Sequence, residues 1–241
     1  RCSPGTRPLP RTWAAATPST NFWFGTDEFR RDMWTRVWAG TRVSLYIALL
    51  AALLDLFVGV PFGAVSGFLG GRVDGVMQRT IEILNGIQNL VVAILAMIVF
   101  QPCILTISIA IGLTGWTYMA RIVRGKVLQL KKQEFVLASR SLGAGGLRLM
   151  WKHLIPNSLG PIIISVMFTI PDAIFAEAFL SFIGLGIQAP RASLGSLISD
   201  GAGEMRFHPH LLWFPTTVLC LISFSLFGDG LRDALDPRMR R

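Results

Sequence analysis

Residues 121–156, RIVRGKVLQLKKQEFVLASRSLGAGGLRLMWKHLIP, form a basic, helix-favouring insert with long apolar runs on both sides. Those runs decide the class. Residues 43–70 carry one charge, Asp55, and residues 83–120 carry none over 38 positions. A helix crossing a bilayer needs about 20 apolar residues. The first run is therefore one span, and the second is two spans joined by a tight turn at Gln101 and Pro102. Residues 154–190 hold only Asp172 and Glu177. A fourth span is expected in their first two-thirds, with Pro161 and Pro171 tolerated where packed neighbours satisfy the freed carbonyls. Residues 211–228, with Trp213 and Phe214 at one end, make a short fifth span with an aromatic interface anchor. Everything before Arg42 is expected to be irregular or amphipathic.

Composition agrees. With 52% hydrophobic and 15% charged residues among 241, the chain has more apolar surface than one soluble core of its size needs, and its mean hydropathy is +0.53. It is expected to be an all-α, polytopic membrane protein. A net charge of +9 would suggest nucleic acid in a soluble domain. Here Lys and Arg flank apolar spans, where lipid headgroups and topology account for them, so the bilayer is the expected partner and nucleic acid is not. Cys2, Cys103 and Cys220 are far apart and lack metal-ligand spacing. His153, His208 and His210 share no face with other ligands, so no metal site is expected. Placing the 121–156 loop in the cytoplasm puts 14 of the 23 Lys and Arg residues inside. Seven of the remaining nine fall within the first 42 residues, which then lie outside. An external N-terminus without a signal peptide, in a chain that starts with Arg, points to a missing upstream segment holding one more span.

Within the insert, residues 121–142 lack Pro and are rich in helix formers, so the third span is expected to continue as a helix beyond the bilayer. Gly143, Gly145 and Gly146 end it. Leu147, Met150, Trp151 and Leu154 then recur at helical spacing as an apolar ridge, with Arg148 and Lys152 on another face. An amphipathic helix lying on lipid has the same pattern.

The insert resembles the coupling loop of binding-protein-dependent ABC importer permeases. That motif reads Glu-Ala-Ala, three residues, Gly, nine residues, Ile, any residue, Leu-Pro, and the frame falls on Leu137, Ala138, Ser139, Gly143, His153, Ile155 and Pro156. The acidic position is Leu137, with Glu134 one turn earlier as a substitute; the second alanine is Ser139 and the isoleucine is His153. Phe24 to Asp27, Arg31-Asp32 and residues 40–45, GTRVSL, are similar to the opening pattern of C-type permease subunits for oligopeptides, dipeptides and nickel, with Arg30 in place of a glycine. GGRVD at 70–74, Gly115-Trp116 through Arg121, Arg124-Gly125, EAFLSFIGLG at 177–186 and GDGLRDALDP at 228–237 follow in the family's order. The resemblance covers residues 24–238. Residues 83–99 and PRASLG at 190–195 are nearest to oligopeptide-type members.

This resemblance implies the type I ABC importer permease fold, with five transmembrane helices in this chain and the family's first helix missing. It divides the chain into an extracytoplasmic segment (1–42), a transmembrane domain (43–236) with its cytoplasmic coupling loop (121–156), and a cytoplasmic tail (237–241). The implied partners are a second permease subunit, two cytoplasmic ATPase subunits and an extracytoplasmic solute-binding protein, in the bacterial cytoplasmic membrane. Coupling is assigned to Glu134, Leu137, Ala138, Ser139, Arg140, Gly143, Leu147, Arg148, Met150, Trp151 and Pro156. No phosphate-cradling G-x-x-x-x-G-K-[ST] stretch occurs, so no catalytic or cofactor residue is expected here, and ATP and Mg²⁺ belong to the partner ATPases. Intramembrane acids are functional candidates because a charge at the bilayer centre costs about 2.5–3.5 kcal/mol on insertion scales. Asp172 and Glu177 are the translocation-path candidates, with structural pairing weighed ahead of substrate contact for Glu177; Asp55 is assigned to helix or subunit pairing. The expected cargo is oligopeptides or dipeptides, with a nickel complex as the alternative. In a different class, an ion-coupled secondary transporter would use the three acids as ion sites.

Overall fold

The first helix, α1 (Met33–Leu69), starts where the side chain of Asp32 accepts the backbone N–H groups of Trp34 (3.3 Å) and Thr35 (3.1 Å). It ends at Gly70 and Gly71, whose φ values of 66° and 58° suit glycine. The computed structural model describes residues 25–27, 31–100, 103–187 and 192–235. Most of the 1–42 segment, the Gln101–Pro102 turn, Arg191 and the 237–241 tail lie outside the described residues.

The N-terminal boundary expected at residue 43 shifts to Met33. Arg36, a good helix former, is paired at 2.6 Å to Asp27 and 3.7 Å to Asp200. Trp34 stacks on Phe214, ring centroids 5.8 Å apart. These contacts tie the start of α1 to the helices that close this end of the bundle.

Beyond α1 come α2 (Gly71–Gly86), α3 (Asn89–Val99), α4 (Ile104–Leu130), α5 (Glu134–Ser141), α6 (Gly146–Leu149), a π-helical turn (Met150–Leu154), α7 (Ile155–Asn157), α8 (Leu159–Phe182), α9 (Leu194–Gly203) and α10 (His210–Leu235). By length and apolarity α1 and α8 each suffice to cross a membrane, and α2 with α3 suffices as one span bent by 73°. The second span does not begin at Ile83 as expected: α2 runs through that position and breaks at Ile87 and Gln88.

Parallel packing of α1 on α4 is the spine of the fold. Gly59, Gly63 and Gly67 recur every four residues along α1, and a Cβ at Gly63 would come within 2.4 Å of the Ala120 carbonyl oxygen on α4. Small residues at this spacing let two backbones approach to van der Waals contact, which replaces the hydrophobic drive that lipid does not supply. Helix α8 runs antiparallel to α1, with Ile162 packed near Val60 and Ala64 and with Glu177 at Ser44. At the Met33 end, Met33, Val37, Ala48 and Ala51 share a core with Ile174, Leu194, Leu197, Leu211 and Leu219, so α9 and α10 cap the bundle. At the Leu69 end, Asp74 of α2 accepts both Nε and Nη2 of Arg124 at 2.6 Å and the Ser66 hydroxyl at 2.6 Å, joining α2, α4 and α1.

The helix expected to run unbroken from the third span to Leu142 is interrupted. Helix α4 stops at Leu130, and α5 starts afresh at Glu134. Lys131 turns back to donate to the Phe68 carbonyl at 2.7 Å and lies over the Phe68 ring. The turn directs Val136 of α5 into the core, where it is fully buried.

Candidate functional site

Two regions carry the sequence-derived candidates: the polar insert at the Leu69 end and a cleft within the bundle. In the insert, Gly143 has φ +81° and ends α5's connection, as the glycine cluster predicts. The chain then re-enters helix at Gly146 and widens into the π turn Met150–Leu154. Pro156 has no N–H to give, and just after it the side chains of Asn157 and Ser158 donate back one turn, to the carbonyls of His153 (2.8 Å) and Leu154 (2.7 Å).

The expected outward ridge is divided at Met150 and Trp151: adjacent helical residues lie about 100° apart around the axis, so one faces the core and the other faces out. Leu149, Met150 and Leu154 are buried with Val60, Ala64, Val127, Leu130 and Ile162, so Met150 is an anchor and not an exposed docking residue. Trp151 points outward and is 61% exposed. Leu137 and Leu142 are exposed apolar residues on the same insert. Glu134, Ala138 and Arg148 are also exposed, while Ser139 spends its hydroxyl on the Phe135 carbonyl. The side chains of Arg140 and Leu147 lie outside the described ones. Sequence spacing had not singled out Leu142, whose exposure follows from the stop at Gly143.

The cleft, of about 700 Å³, opens beside the α2–α3 break. It is lined by Asp55 of α1, Asn85 and Gln88 at the break, Thr117 and Tyr118 of α4, and Asp172 of α8. The bend exists because the pentapeptide NGIQN at 85–89 puts a glycine and three amides inside an otherwise apolar run. That pentapeptide was the available sequence signal for the cleft, and a count of charges alone passes over it. Thr117 donates to the Asn85 side-chain oxygen at 2.9 Å, holding the end of α2 against α4. Asp172 is exposed and also borders a neighbouring cleft of about 500 Å³ lined by Phe168, Phe175 and Phe224.

Glu177 lines neither cleft. It is fully buried, and its carboxyl accepts the hydroxyls of Ser44 and Ser181, each at 2.8 Å. Ser44 in turn accepts the Leu194 N–H at 3.2 Å, at the start of α9. The geometry is that of the pairing alternative: one carboxyl joins α1, α8 and α9. Asp55, by contrast, lies in the cleft wall against Gly115, where an added Cβ would come within 2.5 Å of its Oδ2.

A family model described as "Binding-protein-dependent transport system inner membrane component" matches residues 59–241. The chain belongs to this family. The permease is 50% identical over 226 residues to the oligopeptide transport system permease protein OppC of Bacillus subtilis (strain 168), covering 93% of this chain and 74% of that protein. It is likewise 50% identical to the dipeptide transport system permease protein DppC of the same organism, over 93% of this chain and 71% of that protein. Identity to OppC of Escherichia coli (strain K12) is 44%, over 94% and 76%. Among solved structures, the fold matches the MetNI methionine ABC transporter with a TM-score of 0.69 at 14% identity, over 83% of this chain and 94% of that one. An amino acid ABC transporter matches with a TM-score of 0.60 at 17% identity, over 82% and 92%. The permease is thus a helical membrane protein with the ABC importer permease fold.

Proposed function

We propose that this permease forms one half of the translocation pathway of an ATP-driven importer for oligopeptides or dipeptides, and that residues 121–156 dock on a separate ATPase subunit. Two relatives at 50% identity over 93% of the chain, one an oligopeptide and the other a dipeptide permease, support the cargo class. One geometric observation supports the coupling role: Trp151 projects from a turn whose neighbours Leu149, Met150 and Leu154 are buried on α1, α4 and α8. An aromatic anchor on a rigid base transmits a push from a partner to the bundle, where a floppy loop would absorb it. Glu134, Arg148, Leu137 and Leu142 are exposed on the same insert.

In this reading α1, the bent α2–α3 pair, α4, α8 and α10 are the five spans. The insert, with its Lys and Arg residues, faces the cytoplasm of a bacterial cell as a multi-pass part of the cytoplasmic membrane. ATP and Mg²⁺ are held by the two ATPase subunits, so this chain is not itself the enzyme. A second permease completes the pathway, and an extracytoplasmic binding protein delivers the peptide. Alternating access follows when the two permeases rock against each other, biased by contacts that differ between the ATP-bound and ATP-free states.

The test is uptake of a radiolabelled tripeptide into proteoliposomes holding the complete complex. Uptake is expected to require both ATP and the binding protein. Uptake driven by a proton or sodium gradient without any ATPase would replace this proposal with the ion-coupled transporter reading.

A further inference from the structure

Asp55 is a titratable group that neither coupling nor the α1–α8–α9 pairing uses. It lies on α1 within the span, only 2% exposed, and its Oδ1 has no hydrogen-bond partner among the described residues. A buried acceptor left unmatched is costly. Gly115 on α4 makes room for the carboxyl, since any side chain there would collide with it.

The cleft around Asp55 is polar and mixed, with the donors of Gln88, Asn89, Tyr118 and Arg121 beside two further acceptors. Asp172 lines the same cleft from α8, and Asn85 presents its side-chain oxygen, already accepting from Thr117. The break at Ile87 and Gln88 also ends α2 beside the cleft, and the last carbonyls of a helix carry the negative end of its dipole. Arg121 supplies the cation among the lining residues. It is six residues beyond Gly115 on α4, about 9 Å along the helix axis at 1.5 Å per residue. An extended peptide advances about 3.3–3.6 Å per residue, so a di- or tripeptide is about as long as the rise from Gly115 to Arg121.

We propose that this cleft is a binding site for a peptide in transit, in which Asp55 takes the primary ammonium of the peptide's amino terminus, Asp172 adds a second acid to the cleft wall, and Arg121 faces the carboxyl terminus. The inference rests on the peptide-import reading and goes beyond it by placing a recognition step inside the membrane part of the permease. An ammonium supplies up to three donors for the unmatched carboxyl oxygen and its neighbours, and a charge-assisted hydrogen bond of this kind is worth about ten-fold or more in affinity.

The experiment uses the complete complex in proteoliposomes, with trialanine and N-acetyl-trialanine as probes and import counted per ATP hydrolysed. N-acetylation removes the ammonium and keeps the rest of the peptide. The binding protein is the same in every arm, so its own preference cancels between wild type and variant. Asp55→Asn is expected to lower trialanine import per ATP about ten-fold and to erase the difference between free and acetylated peptide that wild type shows beyond delivery. Equal import by Asp55→Asn and wild type would overturn the inference, and so would an equal loss for both peptides. Failure of the Asp55→Asn chain to assemble with its partners would give the carboxyl a structural role in the complex and overturn the inference too. Absence of ATP-dependent trialanine import by the wild-type complex would instead sink the peptide-import reading, and this inference with it.

Discussion

Replacing Gly63 by alanine is expected to lower the stability of the folded chain by about 3 kcal/mol, the upper end of the usual penalty for overpacking a tight core. One methyl group is enough. It would come within 2.4 Å of the Ala120 carbonyl oxygen and 3.0 Å of the Val123 Cβ, and backbone cannot step aside as a flexible side chain can. The same seam continues at Gly59, where a Cβ would come within 2.8 Å of the Trp116 carbonyl oxygen, so α1 cannot tilt away at one point without loosening the next turn. Thermal unfolding of the purified chain in detergent should show a drop of about 10 °C, using the scale for domains of this size. The control is Gly75→Ala on α2, where an added Cβ meets nothing within 4 Å. That change should be neutral or stabilising by up to about 1 kcal/mol through helix propensity. If Gly63→Ala and Gly75→Ala melt together, the α1–α4 seam is not the spine described above.

Glu177→Ala should be nearly as damaging. Its carboxyl satisfies two buried hydroxyls on different helices, Ser44 and Ser181, and Ser44 in turn holds the Leu194 N–H. Truncation strands both donors and leaves a void at a fully buried position. Each stranded donor costs about 1–3 kcal/mol, so a loss of about 3 kcal/mol is expected. Glu177→Gln keeps the shape and one carbonyl acceptor, and the serine facing the new amide can rotate to accept; a loss of about 1 kcal/mol is expected for it. The contrast separates structural pairing from substrate contact. A path-lining role predicts the reverse pattern, with stability kept in both variants and transport lost in both.

How far these features were legible in the sequence differs from one to the next, and for physical reasons. The apolar runs marked α1, α8 and α10, because burial in lipid demands long uncharged stretches, and the glycines at 143–146 marked the end of α5's connection. The start of α1 was missed by ten residues because the uncharged run begins only after Arg42, which sits exposed on the same helix. The break at 131–133 rests on a contact across 63 positions, from Lys131 to the Phe68 carbonyl, which no local window contains. The split of the ridge was equally hidden: helical periodicity grouped Met150 with Trp151, and the core formed by α1, α4 and α8 behind them decides which of the two is buried. At the cleft the signal was present but of the wrong kind, since Asn85, Gln88 and Asn89 are uncharged and the run holding them reads as continuously apolar.

The most direct test of the central claim, that a rigidly seated Trp151 carries the push from the ATPase into the bundle, is the number of peptides imported per ATP hydrolysed by complexes carrying Trp151→Asp. Because Trp151 is 61% exposed, the change should leave the fold stable to within about 0.5 kcal/mol. A desolvated aromatic anchor replaced by a charge should lose about 2 kcal/mol or more at the interface. The expected result is import per ATP reduced at least about ten-fold, with the variant chain melting as wild type does. Unchanged import per ATP in a complex that carries Trp151→Asp would contradict it.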